Sequence, residues 1–403
     1  MKNIGQSMKC IMIAVVLGLM PVGASQAASR PLKVFILAGQ SNMQGHVNVS
    51  TFDSMAADPR TAPILKEMRD ANGKPRVCQK VWISSIGCAG DDTTEQQGLL
   101  TAGFGASPAE IGPEFTYGIY MEKALNEPIL IIKTSWGGKN LHTDFRPPGA
   151  GPYAWSDFEL NKFKVRGDDM NRTQAEKIQA TGVYYRMMID HVKMVLGDIK
   201  RVVPKHDPSQ GYEIAGFVWF QGFNDLVSDW TYEKCEQPGG YDLYSTLLTQ
   251  FIRDVRKDLN SPKMPFTIGV MGINGEKEDK TPGMQMYFRQ SQVAAAALPE
   301  FKGNVTAVHT APYWDDELQA LHERMETYWP DVNAKVTEEK DTSWENKMKH
   351  MEQKYQPADW KKLKGVSNGG YHYLGAAKIM APIGKAFAEA MANFQKSQRE
   401  EQQ

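Results

Sequence analysis

Cysteine is scarce in this sequence of 403 residues, which contains four of them. They form no CxxC pair and the eight histidines do not cluster, so the common ligand patterns of metal sites are absent, and we expect no metal or other cofactor. Cys78 and Cys88 are close in sequence, but the segment between them is typical of a strand, so a disulfide requires the chain to turn back. Both the bridged and the free state stay open, and Cys235 is left as an odd, inert thiol.

Long apolar runs are absent after the N-terminal segment. Residues 1–28 carry two lysines, then the apolar run Ile11–Met20 and then small residues, which is the pattern of a secretory signal peptide. A transmembrane anchor is the alternative, but the run is shorter than the roughly 20 residues that a membrane-spanning helix needs. We therefore predict cleavage after Ala27 or Ala28, a secreted or periplasmic protein and no stable membrane anchor.

An excess of either sign of charge is also missing. The sequence has 46 basic and 47 acidic residues and a formal net charge of -1. This balance lacks the basic footprint of a nucleic-acid-binding protein, so we expect no nucleic acid partner. It favours a neutral substrate over a polyanion and leaves the oligomeric state open.

Apolar segments alternate with helical segments along the rest of the chain. Continuous apolar runs are typical of strands covered on both faces, and the strand candidates are Lys33–Ala38, Val81–Ile86, Ile129–Thr134, Ile214–Phe220, Phe266–Met271 and Val305–His309. Helical spacing of apolar residues marks Gln174–Ile199, Tyr241–Leu259 and Leu374–Phe394. The alternation predicts an α/β domain with a mainly parallel sheet between two layers of helices.

The predicted domain covers residues 29–395. Leu141–Asp169 is rich in proline, glycine and aromatic residues and is interpreted as a surface loop. Residues 315–364 are highly charged and predict a helical insertion rather than a separate domain. The charged residues 396–403 predict a flexible tail.

Four motifs follow predicted strands or open the last helix, where ligands bind in an open parallel sheet. They are Gly39-Gln40-Ser41-Asn42-Met43, Thr134-Ser135-Trp136-Gly137-Gly138, Trp219-Phe220-Gln221-Gly222-Phe223-Asn224-Asp225 and Gly370-Tyr371-His372-Tyr373-Leu374-Gly375. Each has an ordinary structural explanation when it is taken alone: a capping serine, a glycine turn, an Asn-Asp turn and a capping or hydrogen-bonded histidine. Their combination in this order carries more information than any one of them.

The order of an early serine, a middle glycine, a Gly-x-Asn-Asp motif and a late histidine resembles the four sequence blocks of the SGNH hydrolases. The form Ala-Gly-Gln-Ser-Asn-Met resembles the sialate O-acetylesterase-like group, which includes carbohydrate acetylesterases, and Ile111-Gly112-Pro113-Glu114 fits the same group. The resemblance covers roughly Lys33–Met391. It implies a three-layer, flavodoxin-like α/β/α fold and metal-free hydrolysis of esters on acetylated carbohydrate.

The resemblance implies a role for each motif. Ser41 is the expected nucleophile and His372 the expected base. The oxyanion would be held by the backbone N–H of Ser41, that of Gly137 or Gly138, and the side-chain amide of Gln221, Asn224 or both. The expected substrate-binding residues are Gln40, Asn42, Trp136 and Tyr371. Aromatic residues near the motifs, such as Trp136, Trp219 and Tyr371, are candidates to stack on sugar rings, and packing in the core is the more common role for any one of them.

Two departures from the family pattern stand out. The usual acid lies three residues before the histidine, where this chain has Gly369. We predict that Asp315 or Asp316, after the last strand candidate, orients His372 instead, with a backbone carbonyl or an unassisted Ser-His dyad as alternatives. Many relatives also have glutamate at the position of Phe223, which leaves the oxyanion donor of that motif open.

Two other functions compete with a carbohydrate O-acetylesterase. The missing acid is compatible with a non-catalytic carbohydrate-binding protein on an esterase scaffold, but such a protein needs neither Ser41 nor His372. An esterase for non-carbohydrate esters such as lipids is the second, and the absence of a long apolar lid disfavours it.

Overall fold

The chain was analysed as a computed structural model, which describes Met1 and residues 30–88 and 90–401. Apart from Met1, the predicted signal peptide lies outside the described residues. Within the described part, the strands are β1 (Leu32–Gly39), β2 (Val47–Asn48), β3 (Val81–Ile86), β4 (Gln96–Leu99), β5 (Glu110–Ile111), β6 (Ile129–Ser135), β7 (Tyr212–Phe220), β8 (Phe266–Val270) and β9 (Val305–His309). All six predicted strands are confirmed to within two residues at each end.

Seven strands form the main sheet in the order β4-β3-β6-β1-β7-β8-β9. All neighbours are parallel except β4, which pairs antiparallel with β3 at one edge. The short strands β2 and β5 form a separate antiparallel ribbon. The first strand, β1, is therefore central. The strands up to β6 extend the sheet on one side of β1, and the strands from β7 onwards extend it on the other side. Ligands bind at such a reversal, beyond the carboxyl ends of the strands.

Helices of the described chain cover both faces of the sheet. They are α1 (Ser41–Gln44), α2 (Ala62–Met68), α3 (Glu114–Leu125), α4 (Asp157–Arg166), α5 (Met170–Ala180), α6 (Val183–Gly197), α7 (Phe223–Leu226), α8 (Asp242–Asp258), α9 (Met284–Ala296), α10 (Asp316–Glu338), α11 (Trp344–Glu352), α12 (Pro357–Leu363) and α13 (Ala377–Glu401). The helices α3 and α13 pack together, whereas α8 packs with α9.

Alternating side chains of β7 show how the layers are built. Trp219 packs against Phe251 of α8, with ring centroids 4.3 Å apart. Its neighbour Phe220 points to the other face and meets Phe387 of α13 at 5.2 Å. Successive strand residues face opposite sides of a sheet, so α8 and α13 lie on opposite faces. The predicted three-layer α/β/α fold is confirmed.

Three segments differ from the sequence-based expectation in detail. The predicted helix Gln174–Ile199 is two helices, because Gly182 has a left-handed backbone with φ +69° that ends the helical path between α5 and α6. The predicted loop Leu141–Asp169 contains α4. The last helix continues to Glu401, through most of the segment predicted as a flexible tail.

The insertion predicted at residues 315–364 is helical and comprises α10, α11 and α12. These helices enclose a small apolar cluster of their own, formed by Leu321, Val332, Met351, Trp360 and Leu363. Its aromatic and aliphatic side chains pack apart from the main core, as expected for a segment added to one end of a complete sheet.

The three cysteines of the described chain, Cys78, Cys88 and Cys235, are buried free thiols, which decides between the two states left open by the sequence. In the part of the chain that the structure describes, no helix is long and apolar enough to cross a membrane.

Candidate active site

Ser41 begins α1 directly after the central strand β1. The preceding Gly39 has no room for a side chain, because a Cβ atom there would lie 2.1 Å from the carbonyl oxygen of Phe220 on β7. This close approach of two strands brings the serine turn against the Gln221–Asp225 motif. Ser41 is 7% exposed, so its side chain is nearly enclosed but still reached from solvent.

The side chain of Gln40 links the serine turn to the Gln221–Asp225 motif by hydrogen bonds. Its Oε1 accepts hydrogen bonds from the backbone N–H groups of Gly222 at 3.0 Å and Asn224 at 3.2 Å. Its Nε2 donates to Oδ1 of Asn224 at 2.7 Å. The side chain is fully buried. The expectation that Gln40 contacts substrate is therefore wrong, because its polar atoms are used inside the protein to position Asn224.

The same contacts separate the two candidate amide donors for the oxyanion. Gln221 is 2% exposed and donates through Nε2 to Asp225 at 2.6 Å and to Gln40 at 3.1 Å, while its Oε1 accepts from Tyr244. The side chain of Asn224 uses only its oxygen within the protein, to accept the hydrogen bond from Gln40. Its Nδ2 donates to no residue in the described chain and remains the free donor, which favours Asn224 over Gln221.

Gly137 lies beside the serine. The N–H of Trp136 donates to the carbonyl of Gly39 at 3.2 Å, which fixes this loop against the end of β1. A Cβ atom on Gly137 would lie 3.9 Å from Cβ of Ser41, whereas one on Gly138 would meet nothing within 4 Å. Of the two glycines that the sequence left open, Gly137 is the one next to the nucleophile.

The histidine turn meets the serine turn through their neighbouring residues. Nδ2 of Asn42 donates to the carbonyl of Tyr371 at 3.1 Å, which joins the residue after Ser41 to the residue before His372. Asn42 is 4% exposed, and its side chain holds the two turns together, whereas its contact with substrate stays a prediction. The structure thus brings both predicted catalytic residues to one place.

The backbone of the histidine turn is held in an unusual conformation. Tyr373 and Leu374 have positive φ angles of 53° and 60°, which side-chain-bearing residues rarely adopt. Tyr373 is fully buried, and its hydroxyl accepts from the N–H of Gly272 at 2.8 Å and lies 2.7 Å from Oγ1 of Thr310. This anchoring compensates for the unfavourable backbone and fixes the direction in which His372 points.

Asn368 takes the place of the missing acid. Its Oδ1 lies 3.0 Å from Nδ1 of His372. An amide oxygen only accepts hydrogen bonds, so Nδ1 carries the proton and Nε2 is left as the basic nitrogen. This is the arrangement that a general base needs, with a neutral amide where related enzymes have a carboxylate.

The prediction that Asp315 or Asp316 orients His372 is wrong. Asp315 caps α10 by accepting from the N–H of Leu318 at 2.9 Å, and it forms an ion pair with Lys378. Asp316 is mostly exposed and lies 3.4 Å from Lys277. Both carboxylates are thus used at the start of α10, while Nδ1 of His372 is bound by Asn368.

Gly369, where the family's acid would lie, faces a steric obstacle. A Cβ atom built on it would be 2.6 Å from Cε1 of Tyr371. Its backbone is extended, with φ -72°, so glycine is not required by conformation. The ring of Tyr371 therefore occupies the space in which an acid at this position would begin.

The environment of His372 keeps it neutral. Its ring stacks on that of His46 with centroids 4.0 Å apart and planes 1° from parallel. Burial, and secondarily the charge of His46, lowers the pKa of His372 to about 4. Burial, with a smaller effect of the Lys133 charge, lowers the pKa of His46 to about 4. Both rings are therefore unprotonated at neutral pH, and His372 is ready to accept a proton.

A buried ion pair supports the far end of α1. Nζ of Lys133 lies 2.8 Å from Oε2 of Glu114, and neither side chain is exposed to solvent. The same ammonium donates to the carbonyls of Gln44 at 2.8 Å and Phe104 at 2.7 Å. Lys133 of β6 thus links α1, the short helix that begins with Ser41, to Glu114 of the Ile-Gly-Pro-Glu motif.

A sequence profile of the carbohydrate esterase, sialic acid-specific acetylesterase family matches residues 31–323. The chain belongs to this family. It is accordingly a carbohydrate O-acetylesterase, as the resemblance implied. No curated protein matches the chain.

Several solved structures are similar to this esterase. A protein of Arabidopsis thaliana has 17% identity, covers 70% of this chain and 86% of its own, and has a TM-score of 0.38. A carbohydrate acetylesterase from Xanthomonas citri has 15% identity over 68% of this chain and 49% of its own, with a TM-score of 0.36. NanS has 13% identity over 92% of this chain and 99% of its own, with a TM-score of 0.45.

The aromatic residues predicted to stack on sugar separate clearly in the esterase. Trp136 is 1% exposed and Trp219 fully buried, so both side chains pack in the core, the alternative that the sequence left open for them. Tyr371 is 50% exposed, with its ring 4.4 Å from that of His372 and 6.0 Å from that of Phe223. Tyr371 is thus the predicted aromatic residue that is free to meet a ligand beside the base.

Sequence reasoning missed Asn368, His46 and Lys133. Asn368 is four residues before His372, but the family pattern predicts a carboxylate in this role, so an amide side chain gives no signal. His46 gave no signal, because its contact with His372 joins distant parts of the chain. Lys133 did give a signal in the sequence, since a lysine inside an otherwise apolar strand needs a buried partner.

Proposed function

We propose that this esterase removes O-acetyl groups from carbohydrate through an acyl-enzyme on Ser41, with His372 as the base. The observation that carries the proposal is the junction of the two turns, where Asn42 binds the carbonyl of Tyr371 at 3.1 Å. The hydrogen bond from Nδ1 of His372 to Asn368 supports it further, because it leaves Nε2 free to accept a proton.

The proposed reaction has two halves. In the first, Oγ of Ser41 attacks the acetyl carbonyl and its proton passes to Nε2 of His372; the bond between the acetyl carbon and the sugar oxygen then breaks, and the sugar oxygen takes the proton. In the second, His372 takes a proton from water, which attacks the acetyl group on Ser41. Acetate leaves, and the proton returns to the serine.

The negative charge on the oxygen of each tetrahedral intermediate must be stabilised by hydrogen-bond donors. The free Nδ2 of Asn224 and the backbone N–H groups of Ser41 and Gly137 are the proposed set. Removing one such donor typically raises the barrier by about 3 kcal/mol. Gln40 takes part indirectly, because it accepts from the backbone of Asn224 and donates to its side chain.

The proposed substrate is a neutral or weakly charged acetylated sugar, whose ring packs on Tyr371. An exposed aromatic face beside the base suits the apolar face of a sugar. The experiment is to measure acetate released from a panel of acetylated polysaccharides and O-acetylated sialic acid. Ser41→Ala should abolish release, with Ser50→Ala, an exposed serine nearby in sequence, as the matched control.

The outcomes separate the competing functions. An acetyl group trapped on Ser41 and seen by mass spectrometry supports the proposal. Near-native turnover in Ser41→Ala contradicts it. Binding of polysaccharide without acetate release points to a non-catalytic protein, and rates that rise steadily from acetyl to octanoyl esters point to a lipid esterase.

Export from the cytoplasm is part of the proposal. It is supported by the basic start, the apolar run Ile11–Met20 and the small residues that follow. Mature protein recovered outside the cytoplasm should begin directly after Ala27 or Ala28. N-terminal sequencing tests this, and an exported chain that still carries Met1 contradicts the predicted cleavage.

A further inference from the structure

His46 lies flat against the base. The two imidazole rings stack with centroids 4.0 Å apart and planes 1° from parallel. We propose that His46 is a positioning residue that holds the plane of the His372 ring, in an active site that has no carboxylate at position 369. The inference rests on the proposed role of His372 as the base.

A single hydrogen bond does not fix an imidazole ring. Asn368 holds one atom, Nδ1 of His372, at 3.0 Å. Its neutral oxygen also makes a weaker hydrogen bond than a carboxylate does. The ring can still tilt about that bond, which moves Nε2 away from the serine. A second flat ring in contact with the whole face of His372 prevents this tilt.

His46 is itself held firmly, as a positioning residue must be. The preceding Gly45 has φ +95°, and a Cβ atom on it would lie 2.2 Å from the backbone nitrogen of Gly112. The following strand β2 pairs with β5. The N–H of Asn48 in β2 also donates to Oγ of Ser367 at 3.1 Å. The segment around His46 is thus tied to the start of the same turn that carries His372.

The Nε2 atom of His46 is an unexplained polar group. It is buried and has no hydrogen-bond partner among the described residues. A buried polar atom without a partner destabilises a fold, so an apolar side chain here would be favoured by packing alone. The side chain is therefore explained by its flat ring in contact with His372 rather than by a hydrogen bond of its own.

The charges around the stack are compatible with this role. The charge of Lys133 lowers the pKa of His46, but this ammonium group is also paired with the carboxylate of Glu114. On the histidine turn, the neighbours of His372 are the uncharged side chains of Asn368 and Tyr371. His46 acts in the same direction as burial and lowers the pKa of His372, so the stacked rings favour the neutral form of the base.

The test compares two substitutions at the same position. His46→Ala removes the ring, whereas His46→Phe keeps a flat ring that cannot titrate. We expect His46→Ala to lower kcat about ten- to hundredfold with KM changed less than twofold, because a displacement of about 1 Å in a reacting group has effects of this size. His46→Phe should keep kcat within about threefold of the native value.

Three further measurements distinguish a positioning role from a folding defect. Thermal unfolding monitored by circular dichroism establishes that each variant is folded at the assay temperature. The rate of Ser41 labelling by a fluorophosphonate reports activation of the nucleophile without sugar binding, and it should fall in His46→Ala but not in His46→Phe. The acid limb of kcat/KM should move to higher pH only in His46→Ala, because solvent then reaches His372.

An unchanged kcat in folded His46→Ala overturns the inference, as does an equal loss in His46→Ala and His46→Phe. Failure of the proposed function is distinguishable, because Ser41→Ala would then retain acetate release. If Ser41→Ala is inactive while His46→Ala is fully active, the proposed function stands and the inference alone is wrong.

Discussion

The imidazole of His372 is hydrogen-bonded at Nδ1 to the side-chain oxygen of Asn368, 3.0 Å away. An amide in this position orients the ring but adds no negative charge. The imidazolium that forms in the proposed mechanism is therefore stabilised less than in a Ser-His-Asp triad. The low pKa of His372, about 4, fits a base that has no carboxylate beside it. This pair of residues has a direct consequence for the pH dependence of the enzyme.

Asn368→Asp should move the acid limb of kcat/KM to higher pH. A carboxylate at Nδ1 stabilises the protonated ring and so raises the pKa of His372 from its value of about 4. The base must be neutral to accept a proton, so the variant loses activity at a higher pH than the native enzyme does. The profile should be measured between about pH 3.5 and 8, with tryptophan fluorescence to verify folding at each pH. An acid limb that stays in place would show that Asn368 does not contact the working base.

Loss of Lys133 should destabilise the fold strongly. Lys133→Met leaves the carboxylate of Glu114 buried without its partner, which typically costs about 3–5 kcal/mol. The double variant Lys133→Met with Glu114→Gln should recover part of this loss, because no buried charge is left unpaired. Urea unfolding of the native protein, both single variants and the double variant measures the coupling. Strictly additive effects of the two substitutions would contradict a working ion pair.

Substitution of Tyr371 should weaken substrate binding, whereas substitution of Trp136 should lower the stability of the fold. Tyr371→Ala removes an exposed ring beside the base, so KM should rise severalfold for acetylated sugars and change little for p-nitrophenyl acetate. Trp136→Ala removes a buried ring and should lower the free energy of unfolding by about 3–5 kcal/mol. Steady-state kinetics with both substrates, combined with urea unfolding, distinguishes the two effects. The assignment of Tyr371 to the substrate fails if both substrates show the same change in KM.

The protein should lose stability as the pH falls from about 6.5 towards 4. Burial lowers the pKa of His46, His191 and His372 to about 4 in the folded chain, against 6.5 for an unperturbed histidine. Between these values the unfolded chain binds protons that the folded chain does not, so acid favours unfolding. The full contribution is present above pH 6.5, and the slope is at most about 1.4 kcal/mol per pH unit for each histidine. Urea unfolding at several pH values tests this, and His191→Asn should give a shallower slope.

The order of the sheet-forming segments was predictable because buried parallel strands must be apolar throughout. The strands β3 and β9 agree with the sequence prediction at both ends. Edge strand β4 was missed, since its sequence Gln-Gln-Gly-Leu has no apolar pattern. The break between α5 and α6 was missed as well, because both helices continue one amphipathic pattern and only the backbone of Gly182 separates them.

The sequence by itself determined the fold class and identified Ser41 and His372 as the candidate catalytic residues, because strand ends and short motifs are local features of the chain. Only the tertiary structure decided which groups surround these two residues. The choice of Asn368 over Asp315 depends on where α10 starts in space, and the burial of Trp136 depends on the helices packed over it. The stack of His46 on His372 joins residues more than three hundred positions apart. Such contacts arise from the packing of distant segments, which no local pattern encodes.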